Sequence, residues 1–386
     1  MTPGARVQAA IEIFDAMAEG LPAEQAMTRW ARGSRFAGSK DRAAVRDHVF
    51  DVLRQRRTAA HLGGGNNGRA LLIGNFWAQG VDLAELFNGI GHAPLPLTET
   101  EQAAPETSAD EAVLWNLPDW IIPEFKASLG SRAQDVAQAL QNRAPITLRV
   151  NLGKTNVGSA TRALAAEGIE TRPNPLAPSA LTVLEGERKI RNSASYLQGE
   201  VELQDAASQA VVAAMPKAGR VLDYCAGGGG KALAIAMDGR ANVVAHDIDP
   251  RRMQDLPARA ERAGREIRQV ETEDLAKESP FDVVLCDAPC SGSGAWRRSP
   301  EGKWTLTPKR LQELMAIQDG ILDSAAKLTK QDGCLVYATC SVLACENEDR
   351  VKAFLERNPD WSVGLQKRFD ADADGDGFFT THLHRD

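Results

Sequence analysis

The chain contains no C-x-x-C pair, and its six cysteines (Cys225, Cys286, Cys290, Cys334, Cys340 and Cys345) do not cluster with its six histidines. A zinc site needs such ligands at close spacing, so no metal is expected. No apolar run approaches the roughly 20 residues that cross a bilayer. The opening MTPGARVQAAIEIFDAM lacks the basic flank and continuous apolar block of a secretory signal, so a soluble cytoplasmic protein with reduced thiols is expected. There is no internal repeat and no long low-complexity tract. A net charge of −7 speaks against a protein that coats nucleic acid indiscriminately.

What is present points to two or three domains: 386 residues, 43% of them hydrophobic, exceed one ordinary domain. Residues 1–115 read as an all-α domain and linker. In RAAVRDHVFDVLRQRR, Val45, Val49, Val52 and Leu53 fall on one helical face with the arginines mostly off it. Between Arg29 and Arg69 the cations Arg29, Arg32, Arg35, Lys40, Arg42, Arg46, Arg54, Arg56, Arg57 and Arg69 outnumber Asp41, Asp47 and Asp51. Such an excess suits a phosphate-contacting surface or, more blandly, a solvated helix face. Residues 92–110, rich in Pro, Thr and acidic side chains, read as a loop. Residues 116–198 read as a small α+β module, with strand character in PITLRVN and ALTVLEG around a helical TNVGSATRALAAEGI.

Residues 199–386 carry the chemistry. The runs RVLDYCA, NVVAHD, FDVVLCD and GCLVYAT alternate with helical segments, the pattern of an open parallel sheet wound on both faces. The first run leads into Gly227, Gly228, Gly229, Gly230 and Lys231, where the backbone can turn sharply against a ligand at a helix N-terminus. A P-loop fails, because Cys225 stands where its first glycine belongs and Ala232 follows the lysine. A dinucleotide fingerprint is weak. An S-adenosylmethionine loop fits better: Asp223 and Asp247, 24 residues apart, end the first two strands. Asp247 is placed to hold ribose hydroxyls and Asp223 to lie near an amino group. The bland alternative is a tight turn with capping aspartates.

DAPCSG (287–292) and TCS (339–341) follow two further strands, so Cys290 and Cys340 are both expected on the rim where such sheets bind ligands. Cys225, Cys286 and Cys334, within or beside apolar strands, read as small buried hydrophobes. Two strand-end thiols beside a methyl-donor site suit methylation of cytosine. Its carbon 5 is a poor nucleophile until a thiolate adds at carbon 6 and makes it an enamine carbon. Asp287 is placed to support the ring at N3 and the amino group, and Arg297, Arg298 and Lys303 to supply positive potential and phosphate contacts. Which cysteine attacks is not decided by spacing.

LDYCAGGGGK, AHDIDPRRM, LCDAPCSGSGAWRRSPEGKW, YATCSVLACENE and the terminal GDGFF resemble the Sun-type (RsmB-like) RNA cytosine-5 methyltransferases. The helical N-terminus resembles the NusB-type RNA-binding domain of the branch that modifies small-subunit ribosomal RNA. The resemblance implies a Rossmann-like methyltransferase domain using S-adenosylmethionine, with Cys340 as nucleophile and Cys290 assisting product release. It implies cofactor contacts at Cys225, Ala226, Gly227, Gly229, Gly230, Lys231, Asp247, Arg252 and Asp287. A further acidic contact is expected in VETEDLA, at Asp274, with Glu271 and Glu273 competing. The expected partner is RNA, ribosomal first and transfer RNA second, with neither DNA nor membrane. A non-catalytic RNA-binding assembly factor is the rival from another class. The family's loop usually has Ala-Pro where this chain has Gly227 and Gly228.

Other signals carry less. Asp370, Asp372, Asp374 and Gly375 begin like a calcium loop but lack the closing glutamate, since Thr381 stands there. They read instead as a turn into a last strand, FFTTHLH, on which His382 and His384 face solvent. Trp296 and Trp304, among basic residues, are the tryptophans placed to stack on bases.

Overall fold

Apolar residues three and four apart dominate the first 80 positions, and they fold as five helices: α1 (Pro3–Ala18), α2 (Ala23–Gly33), α3 (Ser39–Arg54), α4 (Arg56–Gly63) and α5 (Gly68–Gln79). Side-chain caps satisfy free N–H groups at two of the starts, Thr2 accepting from Ala5 and Asn67 from Ala70. The structure, a computed structural model, describes residues 1–102, 106 and 108–386. Two compact units result. The first joins Met1–Pro123 to Ala137–Arg143 and Trp296–Thr305; the second takes Glu124–Val136, Ala144–Ala295 and Leu306–Asp386.

In the first unit Val7, Ile13, Val45, Val49, Val52 and Leu72 form a helical core against which Trp304 packs. Among the described residues no helix is long and apolar enough to cross a membrane.

The second unit contains two sheets. The smaller joins β1 (Thr147–Val150), β2 (Glu170–Pro173), β3 (Ala180–Glu185) and β4 (Val201–Leu203) in the order β2-β3-β1-β4, every pairing antiparallel. Leu148, Val150, Leu181 and Val201 pack there with Leu164 of the helix Val157–Ala166.

The larger sheet has seven strands, β5 (Arg220–Asp223), β6 (Asn242–Ala245), β7 (Arg268–Gln269), β8 (Phe281–Asp287), β9 (Thr329–Thr339), β10 (Trp361–Phe369) and β11 (Phe378–Arg385). Their order is β10-β11-β9-β8-β5-β6-β7, with β5 to β9 parallel and β11 antiparallel to both its neighbours. The expected parallel sheet is there, extended by an antiparallel edge. Strand order reverses between β5 and β8, and in open α/β sheets a ligand binds at such a switch point, beyond the carboxyl ends of the strands. Register brings the ends level: Asp223 pairs with Ala245 and Leu285, and Asp287 with Ala338.

The position of β11 corrects one expectation. His382 does not face solvent; it is buried, and burial pushes its imidazole down to about 4. The reason is that β11 is an inner strand, held between β9 and β10.

Candidate active site

β5 delivers its last residue into a dry corner. Asp223 has no exposed surface, and neither carboxylate oxygen has a hydrogen-bonding partner among the described residues. Burial, reinforced by the nearby charge of Asp287, raises its carboxyl to about 7. A buried carboxylate left without donors is costly, and such groups gather at functional sites.

The chain then turns. Gly227 and Gly229 have φ of +53° and +76°, backbone that side-chain-bearing residues rarely adopt. A Cβ on Gly229 would lie 2.3 Å from Leu256 Cδ1. From Gly230 the helix Gly230–Ile235 begins with its free N–H groups at the loop. Arg149 of β1 steadies this start by donating to the Gly230 carbonyl at 2.8 Å. Two residues past β6, the Asp247 carboxylate accepts from the Gly227 N–H at 2.9 Å, from Arg252 at 3.0 Å and from the Asp249 N–H at 3.0 Å.

These features fit a nucleoside cofactor that carries an amino group. The glycine turn lets a ligand approach the backbone, Asp247 is a fixed acceptor for hydroxyls, and the orphaned Asp223 awaits a donor. Arg252 is half exposed and rests on one oxygen of the Asp247 carboxylate.

The two strand-end cysteines meet. Cys290, beyond β8, and Cys340, beyond β9, place their sulfurs 3.4 Å apart. Beside them Lys231 reaches back from the glycine loop to donate to Asp287 at 2.6 Å, its ammonium 5.0 Å from the centre of the Phe378 ring. Burial opposes the charge on Lys231, yet Asp287, Cys340 and Asp223 together hold its pKa above the ordinary lysine value. The hydrogen bond with Cys340, followed by burial, pushes the Cys290 thiol well up. Burial likewise raises Cys225, Cys286 and Cys345, and Cys334 to about 12, which suits inert packing thiols.

Not every predicted residue joins this cluster. Asp274 is exposed and paired with Lys277 at 2.6 Å, and Glu271 and Glu273 are exposed as well. Arg297 and Lys303 are buried in the first unit, 2% and 1% exposed, which corrects the expectation that they touch phosphate. Lys303 donates to the Arg54 carbonyl at 2.7 Å, Arg54 donates to the Arg297 carbonyl at 2.9 Å, and burial lowers the Lys303 amine to about 7. Arg298 is exposed. Trp296 is buried and so cannot stack on a base, while Trp304 is half-buried and donates to the Leu53 carbonyl.

Of the ten basic residues counted from Arg29 to Arg69, Arg46, Arg57 and Arg69 pair with Glu24, Asp119 and Glu101, and Arg54 is buried. Arg29, Arg32, Arg35, Lys40 and Arg42 are exposed without an ion-pair partner among the described residues.

Sequence reasoning missed two residues at the rim. His246 sits between the Tyr224 carbonyl (2.7 Å) and the Thr272 hydroxyl (2.9 Å) and stacks on Tyr224, tying the strand ends of β5 and β6 together. Glu346, fully buried behind both thiols, accepts from Ser291, Ser341 and Gln318. Glu346 lies in the stretch YATCSVLACENE that carries the family resemblance, but nothing in the sequence assigned it a role.

Residues 210–382 match the family described as 16S rRNA methyltransferase RsmB/F, and residues 117–190 match the RsmF/B-like ferredoxin-like domain. The probable ribosomal RNA small subunit methyltransferase B of Bacillus subtilis is 36% identical over 264 residues, which are 65% of this chain and 59% of that protein. The ribosomal RNA small subunit methyltransferase B of Salmonella typhi is 34% identical over 282 residues, 69% of this chain and 66% of its own length. The chain thus spans about six-tenths to two-thirds of these relatives. In fold it resembles the crystal structure of PH0851, with a TM-score of 0.76 at 22% identity over 100% of this chain and 99% of that one.

Proposed function

Through residues 117–190 and 210–382 the chain belongs to the RsmB/F methyltransferase family, and from that premise we propose that it methylates carbon 5 of a cytosine in small-subunit ribosomal RNA. The observation that carries this reading is the pair of strand-end sulfurs 3.4 Å apart beside the Lys231–Asp287 ion pair. A methylase that transfers directly to a nitrogen or oxygen has no use for a thiol. A pyrimidine carbon has use for one that adds and for a second that assists its release.

S-adenosylmethionine supplies the electrophilic methyl group when bound. Asp223 is poised to take its amino group, Asp247 its ribose, and the glycine loop from Cys225 to Lys231 lines its course. The thiolate of Cys340 adds to carbon 6 of the cytosine, which places the displaced electron pair at carbon 5. Against burial, Asp287 first and Cys340 after it hold the Lys231 pKa up, so an ammonium stands within electrostatic reach of the attacking sulfur. Asp287, gripped by Lys231, offers an acceptor to the exocyclic amino group and fixes the ring. After methylation the carbon 5 proton passes to water, its bonding pair re-forms the 5,6 double bond as the carbon 6–sulfur bond breaks, and Cys340 departs as thiolate, with the Cys290 thiol assisting release. The base must leave its stack to reach this rim, so a loop or single-stranded cytosine is the target.

The helical residues 1–115 serve as the RNA-binding part of a cytoplasmic enzyme. Its contacts come from the exposed cations on α2, on α3 and in the turn between them, and from Arg298, which lies far along the chain but in the same unit. The purified protein, given labelled methyl donor with small-subunit ribosomal RNA, transfer RNA or DNA, is expected to label the ribosomal RNA at bisulfite-resistant cytosine. Label only in DNA or transfer RNA, or label resting on another atom, refutes the proposal. No label in any of them supports the assembly-factor rival instead.

A further inference from the structure

We infer that Glu346 is a positioning residue: its carboxylate clamps the Cys290 and Cys340 loops together and assigns the two thiols different parts. The inference rests on the thiol chemistry proposed above and extends it to a residue that touches neither cofactor nor base.

Glu346 closes the single turn Ala344–Glu346 that follows the Cys340 loop, and it has no exposed surface. Among the described residues it forms no ion pair. Its oxygens take four donors: the Ser291 N–H at 2.8 Å, the Ser291 hydroxyl, the Ser341 hydroxyl, and Gln318 Nε2 at 3.1 Å. Four donors fill the acceptor capacity of an ionised carboxylate, and that is how a buried charge without a cation is tolerated. Each donor leads to a sulfur. Ser291 follows Cys290 in the chain, Ser341 follows Cys340, and Gln318 also donates to the carbonyl of Pro289 at 2.9 Å. One carboxylate therefore grips both loops within a residue of each thiol. The turn itself is pinned, since Tyr337 donates to the Glu346 carbonyl at 2.7 Å and Asn347 bonds both Thr339 and the Ser341 carbonyl.

The charges around the pair are unequal. The Lys231 ammonium responds to Cys340, whereas Glu346 adds its negative charge to the hydrogen bond and burial that oppose ionisation of Cys290. A carboxylate at this point keeps Cys290 a proton-bearing thiol and leaves Cys340 the attacking one. Two cysteines that are interchangeable by spacing are thereby made different by their neighbours.

Iodoacetamide alkylation of the full chain near pH ~8, followed by peptide mapping, reads this without RNA. In the wild type Cys340 is expected to react about tenfold faster than Cys290. In Glu346→Gln, which keeps the shape and removes the charge, Cys290 speeds up by about threefold and the preference narrows, and Glu346→Asp restores it. With RNA, Glu346→Gln lowers kcat by about tenfold or more with KM little changed. A folded Glu346→Gln with wild-type alkylation preference and kcat overturns the inference. Should Glu346→Gln fail to fold, the Ser291→Ala/Ser341→Ala double variant removes two of the four donors; a lowered kcat at constant KM supports the clamp, and an unchanged kcat refutes it. Loss of the alkylation preference in a protein that labels no RNA supports the role of Glu346 while refuting the proposed reaction.

Discussion

Replacing Asp223 by asparagine tests the link between the buried carboxylate and cofactor binding. The carboxyl is raised from 3.8 to about 7 by burial first and by Asp287 next. The sign follows from proton counting. Between those two values the folded protein holds a proton that the unfolded chain has lost, so stability is present in full below the lower value and falls as pH rises through the upper one. Across about pH 5 to pH 8 the loss integrates to roughly 2.5 kcal/mol, near the limiting slope of about 1.4 kcal/mol per unit over most of that span. Asparagine cannot ionise and removes this dependence. Urea denaturation of both proteins at the two pH values isolates the effect as a double difference, in which the unpaired amide of the variant cancels. The stability gap should move by roughly 2.5 kcal/mol in favour of the variant as pH rises.

Cofactor binding should move oppositely. A ligand ammonium prefers the ionised carboxylate, so affinity for S-adenosylhomocysteine in calorimetry rises with pH up to about 7 at close to tenfold per unit and then levels. Asp223→Asn is expected to bind at least about tenfold more weakly at the high end and to show no such rise. Equal stability gaps at both pH values, or an unaltered affinity profile in the variant, would refute both the protonated resting state of Asp223 and its role toward the amino group.

Cys340→Ala should abolish methyl transfer, whereas Cys290→Ala should accumulate a covalent protein–RNA adduct, seen as a shifted band on a denaturing gel. Gly229→Ala places a methyl in left-handed backbone against Leu256 and should lower stability by about 1–3 kcal/mol, read as a drop in Tm. Gly228 has neither positive φ nor a contact closer than 3.4 Å, so Gly228→Ala should instead raise stability by about 0.4–1 kcal/mol. Charge reversal at Arg32, Arg35 and Lys40 should weaken RNA binding and flatten its salt dependence by about one unit of slope per lost phosphate contact.

Four of the five parallel strands, β5, β6, β8 and β9, were legible because each holds a short apolar run, and the glycine loop because nothing else follows such a run so abruptly; β7, two exposed polar residues, was not. β10 was not: only its two ends, Trp361 and Phe369, are buried, and its pairing with β11 is broken by a bulge at Gly364, so no alternation shows. The burial of Arg297 and Lys303 was hidden for a different reason. Charge in a sequence reads as surface, and only the fold reveals that the segment Trp296–Thr305 belongs to the first unit, where backbone carbonyls receive these groups. The same blindness made ten basic residues look like one patch. Long-range partners such as Glu101 and Asp119 neutralise part of it, and five exposed cations remain without an ion-pair partner among the described residues.

The two cysteines mark the boundary of what a sequence can say about chemistry. Strand-end position put both on the rim, and their sulfurs lie 3.4 Å apart. The difference in role proposed for them rests on the charged groups near them, Lys231 from the distant glycine loop and Glu346 six residues past Cys340. A motif reports which atoms are available, and the surrounding charges decide which of them reacts. An aspartate whose pKa is raised to about 7, a lysine held charged and a carboxylate buried without a cation among the described residues stand at one end of a single sheet. Each is costly alone, and groups of this kind gather at functional sites.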